Sequence, residues 1–160
     1  MERARLSTSQ ALGLGAISGL RSFSGPAFVS RAASRGRLNV KGSPLAFLGS
    51  KRLSQALTVA ALGELVGDKL SITPSRTSPP VLLWRAVSGA LVGAASFAPD
   101  GRRTTTGAVL GSSAAIVTAI AGERLRALAG RKTGLPDLVV ALAEDTLVLL
   151  VGFRSLRDVL

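Results

Sequence analysis

The chain has 160 residues, no cysteine and no histidine, and it combines 47% apolar residues with a net charge of +11. Those absences exclude disulfide scaffolds, thiolate or imidazole metal sites, Cys nucleophiles and His-dependent triads. A mean hydropathy of +0.40 excludes a disordered chain, which needs low hydrophobicity. Only 18% of residues are charged, where a soluble domain carries about a quarter.

The first apolar segment covers residues 6–29. Arg21 is the only cation deep inside it, and Gly25-Pro26 predicts a bend or re-entrant turn after Phe23, because proline removes an amide donor. A basic link, Arg31–Arg52, leads to the second segment, 52–69, which holds Glu64, Asp68 and Lys69. The proline-bearing link Ser71–Pro80 precedes the third, 81–98, interrupted only by Arg85 near its start. Asp100–Arg103 precedes the fourth, 104–125, in which Thr104–Gly122 is free of charge; a span needs about twenty predominantly apolar residues. Arg124–Pro136 is the last link, and in the fifth segment, 137–155, Glu144 and Asp145 interrupt the apolar run.

This pattern predicts an all-α, multi-pass transmembrane bundle of about five apolar segments, forming one integral membrane domain over residues 1–160. Segments three and four are apolar all round. Such helices are buried in protein or in lipid, and a soluble domain of this size cannot bury several of them. The basic residues divide almost evenly between the two sides of a five-span arrangement, which fits dual topology. No acidic residue lies between positions 3 and 63, a feature shared with targeting peptides. The first segment also belongs to an internal repeat, which argues against its removal.

That repeat aligns Gly15-Ala-Ile-Ser-Gly-Leu-Arg-Ser-Phe23 with Gly89-Ala-Leu-Val-Gly-Ala-Ala-Ser-Phe97, and Val59–Glu64 with Val139–Glu144. The candidate halves are 6–70 and 81–155. Duplicated halves are common in transporters. Glycines spaced by four residues recur as Gly15/Gly19, Gly63/Gly67, Gly89/Gly93, Gly107/Gly111 and Gly130/Gly134, the first four pairs within apolar segments. They are expected to be helix-packing faces, within the chain or across a homo-oligomer.

The acids inside apolar segments carry the functional argument. Glu64, Asp68, Glu144 and Asp145 would together cost about 10 kcal/mol if left alone in lipid. Glu64 and Asp68 share one helix face at their i,i+4 spacing, whereas only one of the adjacent Glu144 and Asp145 can share that direction fully. With Arg21 at the edge, the four are expected to converge on a polar pathway for an ion or small charged solute, the mobile species being a cation or a proton. The same carboxylates are the candidate ligands if a metal binds, since hard cations prefer oxygen donors. The alternative is a non-transporting scaffold or assembly factor whose charges, Arg85 among them, are structural ion pairs.

Other functions find little support. No recognition motif accompanies the basic charge, so no nucleic-acid partner is expected. The Arg-rich links instead suit lipid head groups, and the expected partner is the bilayer. Ser112-Ser113 lacks an activating base nearby in sequence, so neither an enzyme nor a cofactor is expected.

Several motifs carry a family resemblance: G-x-x-S-G-L-R-S-F near the start, G-E-L-V-G-D-K (63–69), P-S-R-T-x-P-P (74–80), R-x-x-S-G-A-L-V-G (85–93) and A-E-D (143–145). In this order they resemble the bacterial membrane proteins of domain-of-unknown-function family 4126. The resemblance implies a small multi-pass inner-membrane protein and no established activity. Glu64-Leu-Val-Gly-Asp-Lys69 is also similar to the Glu-x-Gly-Asp-Lys-Ser/Thr motif of manganese/calcium–proton exchangers. It departs from that motif by one extra residue before the glycine and by Leu70 in place of the hydroxyl residue. The second half offers only Ala143-Glu144-Asp145, without the glycine or the lysine.

Overall fold

Apolar runs make the helices here, and glycines, prolines and a set of buried charges end them. A computed structural model describes residues 8–67, 78–98, 103–133 and 137–156, so Asp68, Lys69 and Gly134 lie outside the described residues. Among the described residues the protein is all-α: α1 (Thr8–Leu20), α2 (Ser24–Ser34), a 3-10 turn (Ala46–Gly49), α3 (Lys51–Gly67), α4 (Pro79–Phe97), α5 (Thr104–Thr133) and α6 (Asp137–Ser155). No strand is present among them.

Two of these helices are long and apolar enough to cross a membrane, Pro79–Phe97 and Thr104–Arg131. The expected first segment is divided between α1 and α2. The expected link at Arg124–Pro136 is helical as far as Thr133, because Glu123–Ala129 contains good helix formers and no breaker. Pro79 and Pro80 start α4, where a missing amide leaves no hydrogen bond unmade. At the other end of α2, Gly36 takes a left-handed conformation with φ of 73°. Its amide donates to the Ala33 carbonyl at 2.9 Å, and Arg37 N–H donates to the Ala32 carbonyl at 3.0 Å. This is a Schellman closure, whose left-handed position favours a residue without a Cβ.

Helices α1, α4 and α5 form the tightly packed centre; α2 packs on α3, and α6 lies against α1. The core joins Leu14 and Ile17 of α1, Val29 and Ala32 of α2, Val92 of α4 and Val148 of α6. The basic link between α2 and α3 also dips into it through Leu38 and Leu48, and Ser30 Oγ donates to the Leu48 carbonyl at 2.7 Å.

Glycines set the close approach at the centre. A Cβ on Gly93 would strike the Gly107 carbonyl oxygen, and one on Gly111 would strike that of Gly89. On α1, a Cβ on Gly15 would meet Gly111 Cα at 2.9 Å, and one on Gly19 would strike Thr118. Thr118 Oγ1 donates across the α1–α5 crossing to the Ala16 carbonyl at 2.9 Å. Gly63 and Gly67 differ: they face open space on α3, with nothing within 4 Å of an added Cβ. Their spacing is the same, but the face they occupy makes no helix–helix contact within the described chain.

Candidate functional site: a charged helix break

The first apolar segment breaks at Arg21–Phe23, three residues before Pro26. Arg21 N–H still donates to the Ile17 carbonyl, at 2.7 Å, and Ala27 N–H returns to the Phe23 carbonyl, at 2.9 Å. Between these bonds the helix stops and restarts. Pro26 lies in the first turn of α2, where proline is tolerated. The break therefore ends at Phe23, slightly earlier than the turn expected after that residue, and the Gly25-Pro26 pair lies within the new helix.

A helix end leaves backbone groups without intrahelical partners. Here both new ends are closed by side chains from other helices. The Glu64 carboxylate of α3 accepts from Ser22 N–H at 2.7 Å and from Phe23 N–H at 2.9 Å. Arg85 of α4 donates through Nη1 to the Leu20 carbonyl at 2.8 Å, and also to the Gly19 carbonyl. Ser88, one turn along α4, donates its hydroxyl to the Ser22 carbonyl. The signs match the helix dipoles: the anion sits at the start of α2 and the cation at the end of α1.

The side chain at the break is itself charged and fully buried. Arg21 pairs with Asp145 of α6, with Nη2 2.5 Å and Nε 3.0 Å from Oδ1. Arg21, Glu64 and Asp145 thus meet at one junction, joined by Arg85, whose charge is buried as well. Glu144, about 100° around the same helix from Asp145, leaves this junction. It turns toward α5, where Arg126 Nη2 lies 2.6 Å from its Oε2. Its Oε1 would lie 3.8 Å from a Cβ on Gly122, which would also meet Leu20 Cδ2 at 3.0 Å.

The expected convergence of four carboxylates takes this form: Glu64 and Asp145 are at the junction, Glu144 faces Arg126, and Asp68 lies outside the described residues. No group of three or more His, Cys, Asp or Glu is placed to hold a metal ion among the described residues. Each described carboxylate of the set already receives a fixed donor. Arg126 lies in the expected Arg124–Pro136 link, where the residue pattern does not mark it as a partner for Glu144; the continuation of α5 through that stretch brings it there. The backbone amides that hold Glu64 carry no residue-type signal at all. Beside the junction, Phe23 and Trp84 pack with ring centroids 5.8 Å apart.

No curated protein and no solved structure matches the chain. The family described as a domain of unknown function (DUF4126) matches residues 9–156, nearly the whole of this helical chain with its charged break, and the protein belongs to that family.

Proposed function

We propose that the protein is a multi-pass membrane protein that moves an ion or small charged solute, with a cation or a proton as the mobile species, through the junction between α1 and α2. The observation that carries this reading is a broken helix whose two ends are closed by opposite charges from two other helices. Discontinuous helices whose ends face a substrate or ion are the usual architecture of transporter sites. Buried ion pairs rarely add stability over apolar packing of similar volume. A purely structural bundle would be served as well by an unbroken helix. In the conformation described, Glu64 sits where an anion would bind the start of α2. Arg85 sits where a cation would bind the end of α1. This is the closed state of the pathway; release of Glu64 from the two amides opens it and frees the carboxylate to bind the mobile cation or proton.

Membrane placement is supported by the outer surface. Leu83 and Val87 of α4, Val109 and Val117 of α5, and Leu142 and Leu150 of α6 are all exposed. Exposed apolar surface of this extent marks an interaction site, and lipid is the partner proposed. The five-segment bundle follows if α1 and α2 together form one broken span, with α3 and α6 as shorter ones beside α4 and α5. The proposed location is a bacterial cytoplasmic membrane. A duplication is supported by Gly15 and Gly89, matched in the alignment, which both meet the backbone of Gly111. Glu64 and Glu144 have partners of different kinds, so the duplicated halves would have diverged at these two positions.

The second reading is the scaffold, favoured by the fixed partners of Glu64, Glu144 and Asp145. Purified protein in proteoliposomes separates the two. Cation or proton flux that Glu64→Gln abolishes, with the fold kept, supports transport. Wild-type protein that moves neither leaves the scaffold.

A further inference from the structure

A second feature lies away from the charged junction. A half-open groove of about 550 Å³ runs between α2, α3 and α6. Its walls are apolar: Ala27, Phe28, Leu62, Leu65, Leu149 and Phe153. One turn apart at one end stand Arg31 and Arg35, both exposed. No lining residue is acidic, and neither arginine is ion-paired among the described residues. At the other end Ser24 adjoins the helix break.

We propose that this groove holds one anionic phospholipid, with an acyl chain along the apolar wall and the phosphate between Arg31 and Arg35. Charge complementarity selects the head group. Two guanidinium forks on one helix face suit a phosphate better than a single-point contact does, and nothing acidic within the groove competes for them. The length selects the membrane. From Ser24 to Arg35 the helix rises about 16 Å, against about 15 Å for half of the bilayer's hydrocarbon core. The arginines then reach the head-group level while Ser24 and the break lie near the midplane. The basic link that follows, with Arg37, Lys41, Lys51 and Arg52, lies at the same surface. The proposal shares with the transport reading only the membrane placement, and it stands whether or not anything is transported.

The test is fluorescence quenching by brominated lipids in vesicles holding the full chain. The native Trp84 of α4, which does not line the groove, reports the bulk lipid. A Phe153→Trp variant in a Trp84→Phe background reports the groove. Brominated phosphatidylglycerol should quench the groove reporter with a relative association constant about five- to thirtyfold above that of brominated phosphatidylcholine. Trp84 should show little preference. Arg31→Gln/Arg35→Gln should bring the groove down to the level of Trp84, and each single change should lower it part-way, which keeps the test open if the double variant does not fold. Lys41→Gln/Lys51→Gln should leave the preference in place. An equal response to both lipids overturns the proposal, as does loss of the preference in the lysine variant, since that would report general surface charge. Displacement of phosphatidylglycerol by an equimolar brominated fatty acid assigns the groove to a free acid instead. A groove reporter that no lipid quenches, in a protein that is dimeric by mass, assigns it to a second copy.

Discussion

Arg21 and Asp145, separated by 124 positions in the chain, form a buried ion pair that ties the break in the first apolar segment to α6. Removing one partner leaves the other charge buried and uncompensated, which costs about 3–5 kcal/mol. Arg21→Met and Asp145→Leu should each destabilise the protein by about that much. The double substitution should recover most of the loss. Thermal unfolding of the four proteins in detergent, arranged as a double-mutant cycle, gives the coupling energy. Additive losses would show that the pair is not a unit.

Glu64 should behave as a helix cap. Glu64→Ala leaves the Ser22 and Phe23 amides without their acceptor, at a cost of about 1–3 kcal/mol for each buried group. Glu64→Gln keeps an acceptor for only one of the two amides and turns an NH2 donor toward the other, so it should lose at least half as much. Hydrogen exchange at the amides of Ser22 and Phe23 reads this directly. Protection should fall in the alanine variant and persist in part in the glutamine one. Unchanged protection in both variants would place the carboxylate elsewhere.

The glycines divide into two classes. Gly93→Val and Gly111→Val force a side chain into a facing backbone carbonyl and should unfold the α4–α5 pair or force it apart. Gly63→Ala meets nothing and should raise stability by about 0.5–1 kcal/mol through helix propensity alone. The same unfolding series in detergent, combined with mass measurement of the assembly, checks both. A fall in stability together with loss of a dimer in Gly63→Ala would place that face in an oligomer contact.

How much of this was legible beforehand depended on which chemistry carried the signal. Arg21, Glu64 and Asp145 stand out in the sequence because a charge in an apolar segment must find a partner, and they do meet. The break is signalled by Gly25-Pro26 and expected just after Phe23; it falls up to three residues earlier, at Arg21–Phe23, because proline fits the first turn of the helix it begins and Pro26 is already inside α2. Glu64 was expected to answer another charge. It answers two backbone amides, which every residue type supplies and no sequence pattern reveals. Spacing marked Gly63/Gly67 and Gly89/Gly93 alike, because a four-residue interval states that two residues share a face without stating what that face meets. Arg126 lay beyond the expected end of α5, so its pairing with Glu144 was hidden by a misplaced helix boundary.

The central claim is that the charged junction between α1 and α2 conducts. It is tested most directly by flux through wild-type and Glu64→Gln protein in sealed proteoliposomes, with monovalent and divalent cations and protons assayed in turn under an imposed gradient. Wild-type protein should move at least one of these species, and Glu64→Gln should lower that flux at least tenfold, with an unchanged helical spectrum showing that the fold survives. Wild-type vesicles no leakier than empty ones to every species, or a Glu64→Gln protein that conducts as well as wild type, would contradict the account.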